Sequence, residues 1–360
     1  MVMESQTQSI RWWALEGNAT RNGVWATVNE LDTYAQSRLD AYARYLEAYD
    51  VELPTTGRKS GPYRKIDESV LTPNKFRRVL DTIHAKIIRN KILPQAVSTG
   101  SDYSTRARAK GFSLFLEGLL ATENMDAIAD LAVRDALLCG FAAVKVSPDE
   151  SKVCFERVKP WCLYLREAEC NGNVPRRLYF VDDFDRGALA EMFPEHETAI
   201  MSAPMPKQVA SSRLMSAYNP DAVKVVEAWS IGTADKPGRH VIALEGHTLL
   251  DEEWTDPEFP IAVLRFYSPP VGFFPVPLAK LLLPIQKELE FTAAKIQRTL
   301  RLMSSAHFIV SPGAEITTEQ MTNEPGTVWR ANPGQVQPFV PPSVAPDLYR
   351  YFTDLGPMMT

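Results

Sequence analysis

Residues that build catalytic centres are scarce in this chain. It has five histidines in 360 residues, His84, His196, His240, His247 and His307. None has a second histidine or cysteine three or four places along, so no helical metal-binding pair is present. There are four cysteines, Cys139, Cys154, Cys162 and Cys170, the last three spaced by eight. That spacing is unlike the short gaps of a zinc knuckle, and the thiols read as free and buried in a reducing compartment. No signal peptide is expected, and no run of about 18 apolar residues offers a helical membrane span. The phosphate loop G-x-x-x-x-G-K-[ST], G-x-G-x-x-G after a strand, H-E-x-x-H and G-x-S-x-G are all missing. Together these absences predict a protein without cofactor or metal, and not an enzyme. The formal net charge of −5 provides no basic footprint for gripping nucleic acid. It does not exclude a protein that lets DNA slide past.

Apolar content of 45% and charge of 23% are those of a globular protein of two or three domains or one elaborated mixed domain. Proline is abundant, at 27 residues, and dense from Pro257 to Pro284 and from Pro325 to Pro357. Between those regions lies the longest periodic stretch, Pro277 to Met303. Leu278, Leu282, Ile285, Leu289, Ala293, Ile296, Leu300 and Met303 recur at spacings of three and four. This predicts an amphipathic helix of roughly 40 Å. Lys287, Lys295, Arg298 and Arg301 fall largely off the stripe, and Pro284 marks a kink or a start.

Upstream, Met1 to Asn22 reads as a tail with Trp12 and Trp13 as an aromatic anchor. From Val24 to Asp50 a helix turns Val28, Leu31, Ala35, Leu39, Tyr42, Leu46 and Tyr49 to one face. Thr72-Pro73-Asn74 caps a helix reaching about Asn90. Arg106, Arg108 and Lys110 open an amphipathic helix through Phe112, Phe115, Leu116 and Leu119, their charges solvated. Asn124 to Cys139 is a helix closed by Gly140. Phe141–Val146 and Lys152–Val158 form a hairpin around a Ser147–Glu150 turn. Arg177–Val181 is a strand, Asp183 caps a short helix from Phe184 to Met192, and Ala199 to Asp221 is a loop. Ala222–Ile231, Arg239–Leu244 and His247–Leu250 form an antiparallel meander, and Ile261–Tyr267 adds a strand. The cluster Asp251, Glu252, Glu253 beside Trp254 reads as a solvated turn. After the long helix, short strands at His307–Val310 and Thr327–Arg330 alternate with proline and glycine. A last helix begins near Ala345. The fold class is α+β.

One acidic knot, Asp182, Asp183 and Asp185, has the residue types of a magnesium site. It carries the alternative reading, a metal-dependent DNA-processing enzyme. A cap and first-turn carboxylates explain the same residues through the helix dipole. A third reading is a helix-rich cytosolic scaffold.

The order of parts resembles the portal protein of tailed bacteriophages, the head–tail connector ring. Asn74-Lys-Phe-Arg-Arg-Val-Leu-Asp-Thr-Ile-His-Ala-Lys-Ile looks like a wing helix of that family. Asp135-Ala-Leu-Leu-Cys-Gly-Phe-Ala-Ala-Val-Lys-Val looks like its helix-to-hairpin segment, which Val158-Lys-Pro-Trp-Cys-Leu-Tyr continues. Gly272-Phe-Phe-Pro-Val-Pro-Leu, followed by Leu283-Pro-Ile-Gln-Lys-Glu-Leu-Glu-Phe-Thr, is similar to the family's approach to its stem helix, with Glu290 where that pattern has Asn. The resemblance implies an N-terminal tail over 1–23, an α/β wing over 24–268, a stem helix over 269–305 and a small β-rich clip over 306–343. It implies the start of a second stem helix over 344–360, with the rest of stem, tunnel loop and crown absent. In such a ring Leu278, Leu282, Ile285, Leu289, Ile296, Leu300 and Met303 would meet a neighbouring subunit. Lys287, Lys295, Arg298 and Arg301 would face channel or DNA, and Trp329, Arg330 and Phe339 would dock adaptors. The implied partners are other copies in a cyclic homododecamer, the terminase large subunit, head–tail adaptor proteins, the major capsid protein and double-stranded DNA, with no membrane. The implied location is the portal vertex of the virion, and the host cytoplasm during assembly.

Overall fold

The structure is a computed structural model and describes residues 11–49, 73–90, 94–100, 102–149, 152–170, 174–206, 221–233, 236–269, 271–304, 307–312, 334, 336–339 and 345–359. It is mixed helix and antiparallel sheet, an α+β fold. Contacts divide it into two compact units, Met1–Arg58 with Phe76–Leu283, and Lys59–Lys75 with Pro284–Thr360.

The first unit is built on two sheets. One is five-stranded, in the order β3 (Leu163–Tyr164), β4 (Arg177–Asp185), β5 (Ala222–Ser230), β6 (Gly238–Leu244), β7 (His247–Trp254). The other has β1 (Phe141–Asp149) between β2 (Lys152–Val158) and β8 (Ile261–Arg265). Every pairing is antiparallel. Strand β5 is apolar almost throughout because both of its faces are covered. Val223 and Val225 join Leu244 and Leu249 under α5 (Arg186–Met192) and α6 (Glu197–Ser202), which add Leu189 and Ile200. Helix α1 (Asn18–Ala48) touches β3, β5 and β7. Its face from Val28 through Leu31, Ala35, Leu39, Tyr42, Leu46 to Tyr49 is buried, as its period requires.

Helices α2 (Lys75–Ile88), α3 (Tyr103–Thr122) and α4 (Met125–Cys139) follow α1. Ala132 and Ala136 of α4 meet Ala142 of β1, small residues that let helix and strand approach closely. Gly140 ends α4 at φ 93°, ψ −24°, a left-handed cap that glycine adopts without strain. An added Cβ there would stand 2.8 Å from the Pro275 carbonyl oxygen.

In the second unit α7 (Leu278–Ser304) continues from the first unit, running unbroken through Pro284. Strands β9 (His307–Val310) and β10 (Val336–Phe339) pair antiparallel, and α8 (Pro346–Leu355) begins with proline in its first turn. Buried Gln286 of α7 donates to the Pro73 carbonyl and to Glu290, and accepts from the Lys75 backbone N–H.

Several expectations are corrected. Residues 12–22 are not a tail: Trp12 is fully buried, its indole N–H donates to the Tyr179 hydroxyl at 2.8 Å, and α1 starts at Asn18. The β1–β2 turn falls beyond Asp149, because Pro148 and Asp149 pair with Val153 and Lys152. Residues 199–202, the start of the loop expected over Ala199 to Asp221, belong to a helix, Glu197–Ser202. Asp183 lies inside β4, and Asp185 caps α5 by accepting from the Ala188 backbone N–H at 3.1 Å. Asp251, Glu252 and Glu253 extend β7 opposite Val241, His240 and Arg239. Helix α8 stops at Leu355, before Thr360. The strand expected at Thr327–Arg330 and the Thr72 cap lie outside the described residues.

Candidate functional site

Helix α7 was the focus of the sequence reading, and its entry is firmly built. The proline-rich approach carries Phe273, which is buried against Phe141 of β1. Arg265 of β8 donates to the Phe273 carbonyl at 3.1 Å and lies over the ring at 4.1 Å. The Phe274 backbone N–H donates to Glu167 at 3.3 Å, and the Arg38 guanidinium stacks on the Phe274 ring at 3.5 Å. Gly272 has φ 80°, and an added Cβ would meet the Glu167 carboxylate at 3.0 Å. Aromatic burial, two cation–π contacts and two hydrogen bonds thus set where α7 leaves the first unit. A groove of about 430 Å³ lies beside this joint, lined by Leu31, Tyr34, Arg38, Tyr164 and Phe274, with Glu30 and Arg166 paired at its side.

The apolar stripe of α7 is only partly available to a neighbour. Leu282, Leu289, Ala293 and Ile296 are buried within the single chain, Leu278 and Ile285 are half-buried, and Leu300 is exposed. Leu282, Leu289 and Ile296, expected to meet a neighbouring subunit, thus have most of their surface covered in the single chain. The side chain of Met303 lies outside the described residues. What α7 does expose includes Leu281, Phe291 and Leu300, with Lys295, Arg298 and Arg301. Lys287 is half-buried. In the β9–β10 pair Phe339 is opposite His307 and exposed, whereas Trp329 and Arg330 lie outside the described residues.

The acidic knot is taken apart by strand geometry. Successive residues of β4 point to opposite faces, so Asp182 and Asp183 diverge. Asp182 receives the Lys159 ammonium at 3.2 Å, and Asp185 is spent on the α5 cap. Asp183 pairs in register with Lys224, and one of its oxygens is buried without a hydrogen-bond partner. Burial holds its carboxyl above the usual range. Among the described residues no group of three histidine, cysteine, aspartate or glutamate side chains is placed to hold a metal ion.

Two ionic joints escaped the sequence reading. On the five-stranded sheet, His240 accepts no simple role as a lone core histidine. Its Nδ1 is 2.8 Å from Glu252 and its Nε2 is 3.0 Å from Glu227, while Trp229 stacks parallel on its ring at 5.2 Å. Lys145 of β1 donates to the other Glu227 oxygen at 2.6 Å, which links the two sheets. Burial disfavours the imidazolium, yet the two carboxylates outweigh it and raise the His240 pKa. Burial likewise opposes the charge on Glu227, and the bonds from His240 and Lys145 bring its pKa below the usual value. The second joint is a two-bond fork from Arg157 of β2 to Asp135 of α4, both distances 2.6 Å. A period-two count places Glu227 and His240 on strands but leaves Glu252 in a turn, and register alone brings the three together. His84 is buried too and bonds the Asp130 carbonyl at 3.0 Å. The buried charges of these two joints therefore tie separate elements together.

None of the four cysteines is in a disulfide, and Cys139 and Cys162 are buried. Burial pushes both of these thiols well above their usual range, the opposite of a reactive cysteine. Compared with known proteins, the chain matches no family model, and no curated protein is a significant match.

Proposed function

We propose that this chain is a portal-type structural subunit, one copy of a closed ring through which double-stranded DNA passes at the head–tail vertex of a tailed phage. In that role it performs no chemistry. It would serve as the docking platform for the terminase large subunit during packaging and for head–tail adaptors afterwards, held in the capsid by the major capsid protein. The observation that carries the reading is the order of elements. A helix-and-sheet body ends in an anchored proline-rich joint, a 27-residue helix leaves it, and a short antiparallel strand pair and a further helix follow. Wing, stem, clip and returning stem of the resembling family follow the same order. The net charge of −5 suits a conduit, since each neutralised phosphate adds salt-dependent affinity that would hold DNA in place.

The test is the assembly state of the purified full chain, by native mass spectrometry and negative-stain imaging. A closed ring, twelve-fold by the family resemblance, with a central opening wide enough for duplex DNA, is the expected result. A stable monomer, a two-fold dimer or an open filament refutes the reading.

A further inference from the structure

Helix α3 is 20 residues long and has no buried residue. Phe112, Leu114 and Phe115 are between 54% and 61% exposed, and the two phenylalanine rings stack on each other at 6.2 Å. The helix also carries Gly111 and Gly118, where an added Cβ would meet nothing within 4 Å, and glycine weakens a helix interior. One stripe, Ala109, Ser113, Leu116, Leu119 and Leu120, is half-buried, and a helix that keeps its other apolar residues in water is not stable by propensity alone. Its chief neighbour in the chain is α4. Exposed Arg106, Arg108 and Lys110 give its first half a basic character.

A surface of the opposite kind stands elsewhere in the same unit. Helices α5 and α6 turn Leu189 and Ile200 into the core and leave Met192 and Met201 exposed, as is Met205 just beyond α6. Glu191 of α5, Glu197 of α6 and Glu195 in the turn between them are exposed as well. Flexible thioethers fit aromatic rings well, and carboxylates match the α3 cations.

We infer that α3 of one copy docks on the α5–α6 face of the next copy. The contact joins two different surfaces, so it is heterologous, and repeated head to tail it propagates around a ring or along a filament. This deepens the ring reading above and rests on it for closure alone; the pairing of surfaces stands on their chemistry.

The experiment uses two charge-reversed full chains, Arg106→Glu/Arg108→Glu/Lys110→Glu and Glu191→Lys/Glu195→Lys/Glu197→Lys. All six residues are exposed, so each variant is expected to keep the wild-type Tm. Alone, each brings like charges together at every contact, and sedimentation velocity should show self-association weakened by at least about 100-fold, since such juxtaposition costs several kcal/mol. Mixed in equal amounts, the two variants can alternate, with every contact again between opposite charges, and assembly should return. Unchanged assembly in both variants, or no recovery on mixing, overturns the inference and leaves the ring reading standing if rings persist. Charge-sensitive assembly into dimers or open filaments supports the inference and sinks the ring. A wild-type chain that stays monomeric at every concentration overturns both.

Discussion

Replacing Arg157 by alanine tests how this fold uses buried charge. In the native protein the guanidinium fork meets both Asp135 oxygens at 2.6 Å, and the aspartate side chain is only 5% exposed against 29% for the arginine. Removing the fork leaves a carboxylate on α4 without its partner and without water. Breaking a buried pair in this way costs about 3–5 kcal/mol. At roughly 2–4 °C per kcal/mol for a domain of this class, Tm should fall by about 6–20 °C. The loss has a pH signature. Burial already raises the Asp135 pKa above 3.8 against the pull of Arg157, and without Arg157 the rise is larger. A carboxyl whose folded pKa exceeds its unfolded value costs nothing below the unfolded pKa, and costs progressively more as pH rises toward the folded one. The deficit of Arg157→Ala should therefore be small near pH 4 and full at pH 7.5. The double variant Asp135→Leu/Arg157→Leu, which leaves no charge behind, should recover most of the stability. Differential scanning calorimetry at the two pH values reads all of this. A variant within about 0.5 kcal/mol of wild type at pH 7.5, or one with the same deficit at both pH values, would refute the reasoning.

The His240 joint makes a second pH prediction. His240, raised above 6.5, contributes stability that is complete below 6.5 and is lost as pH climbs through its folded pKa. Glu227, lowered from 4.5, contributes stability that is complete above 4.5 and is lost as pH falls through its folded pKa. Thermal stability should thus be greatest between pH 4.5 and 6.5, and His240→Gln should flatten the alkaline limb; parallel limbs for variant and wild type would exclude the joint as its cause. Gly140→Ala should cost about 1–3 kcal/mol from its φ of 93° alone, with more from the 2.8 Å approach to Pro275; urea denaturation that finds no loss would show that the cap relaxes freely.

Much of the architecture was legible in the residues because it depends on local period. The stripe of α1 from Val28 to Tyr49, the glycine that ends α4, the alternating strands of the meander and the length of α7 all follow from spacing within one element. A kinked or late start at Pro284 was the open point, and the helix runs through it.

Partners distant in sequence decided the rest. Trp12 sits among polar neighbours, and its burial depends on Tyr179, 167 residues away. Which aspartate caps α5 was settled by how far β4 pairs with β5: the ladder runs to Asp185 opposite Ala222, so Asp183 is held in the sheet. Asp251 to Glu253 look like a solvated turn until Arg239 and His240 on β6 supply the opposite charges that let β7 continue. Period shows that α7 has an apolar face, and packing decides who covers it: Leu289 is covered within the chain, whereas Phe291 is not. Helix α3 is the converse case, with Phe112, Leu114 and Phe115 left exposed by its own fold. Spacing along a chain specifies which residues share a face. Only tertiary structure specifies what that face meets, because burial and charge pairing belong to two surfaces at once.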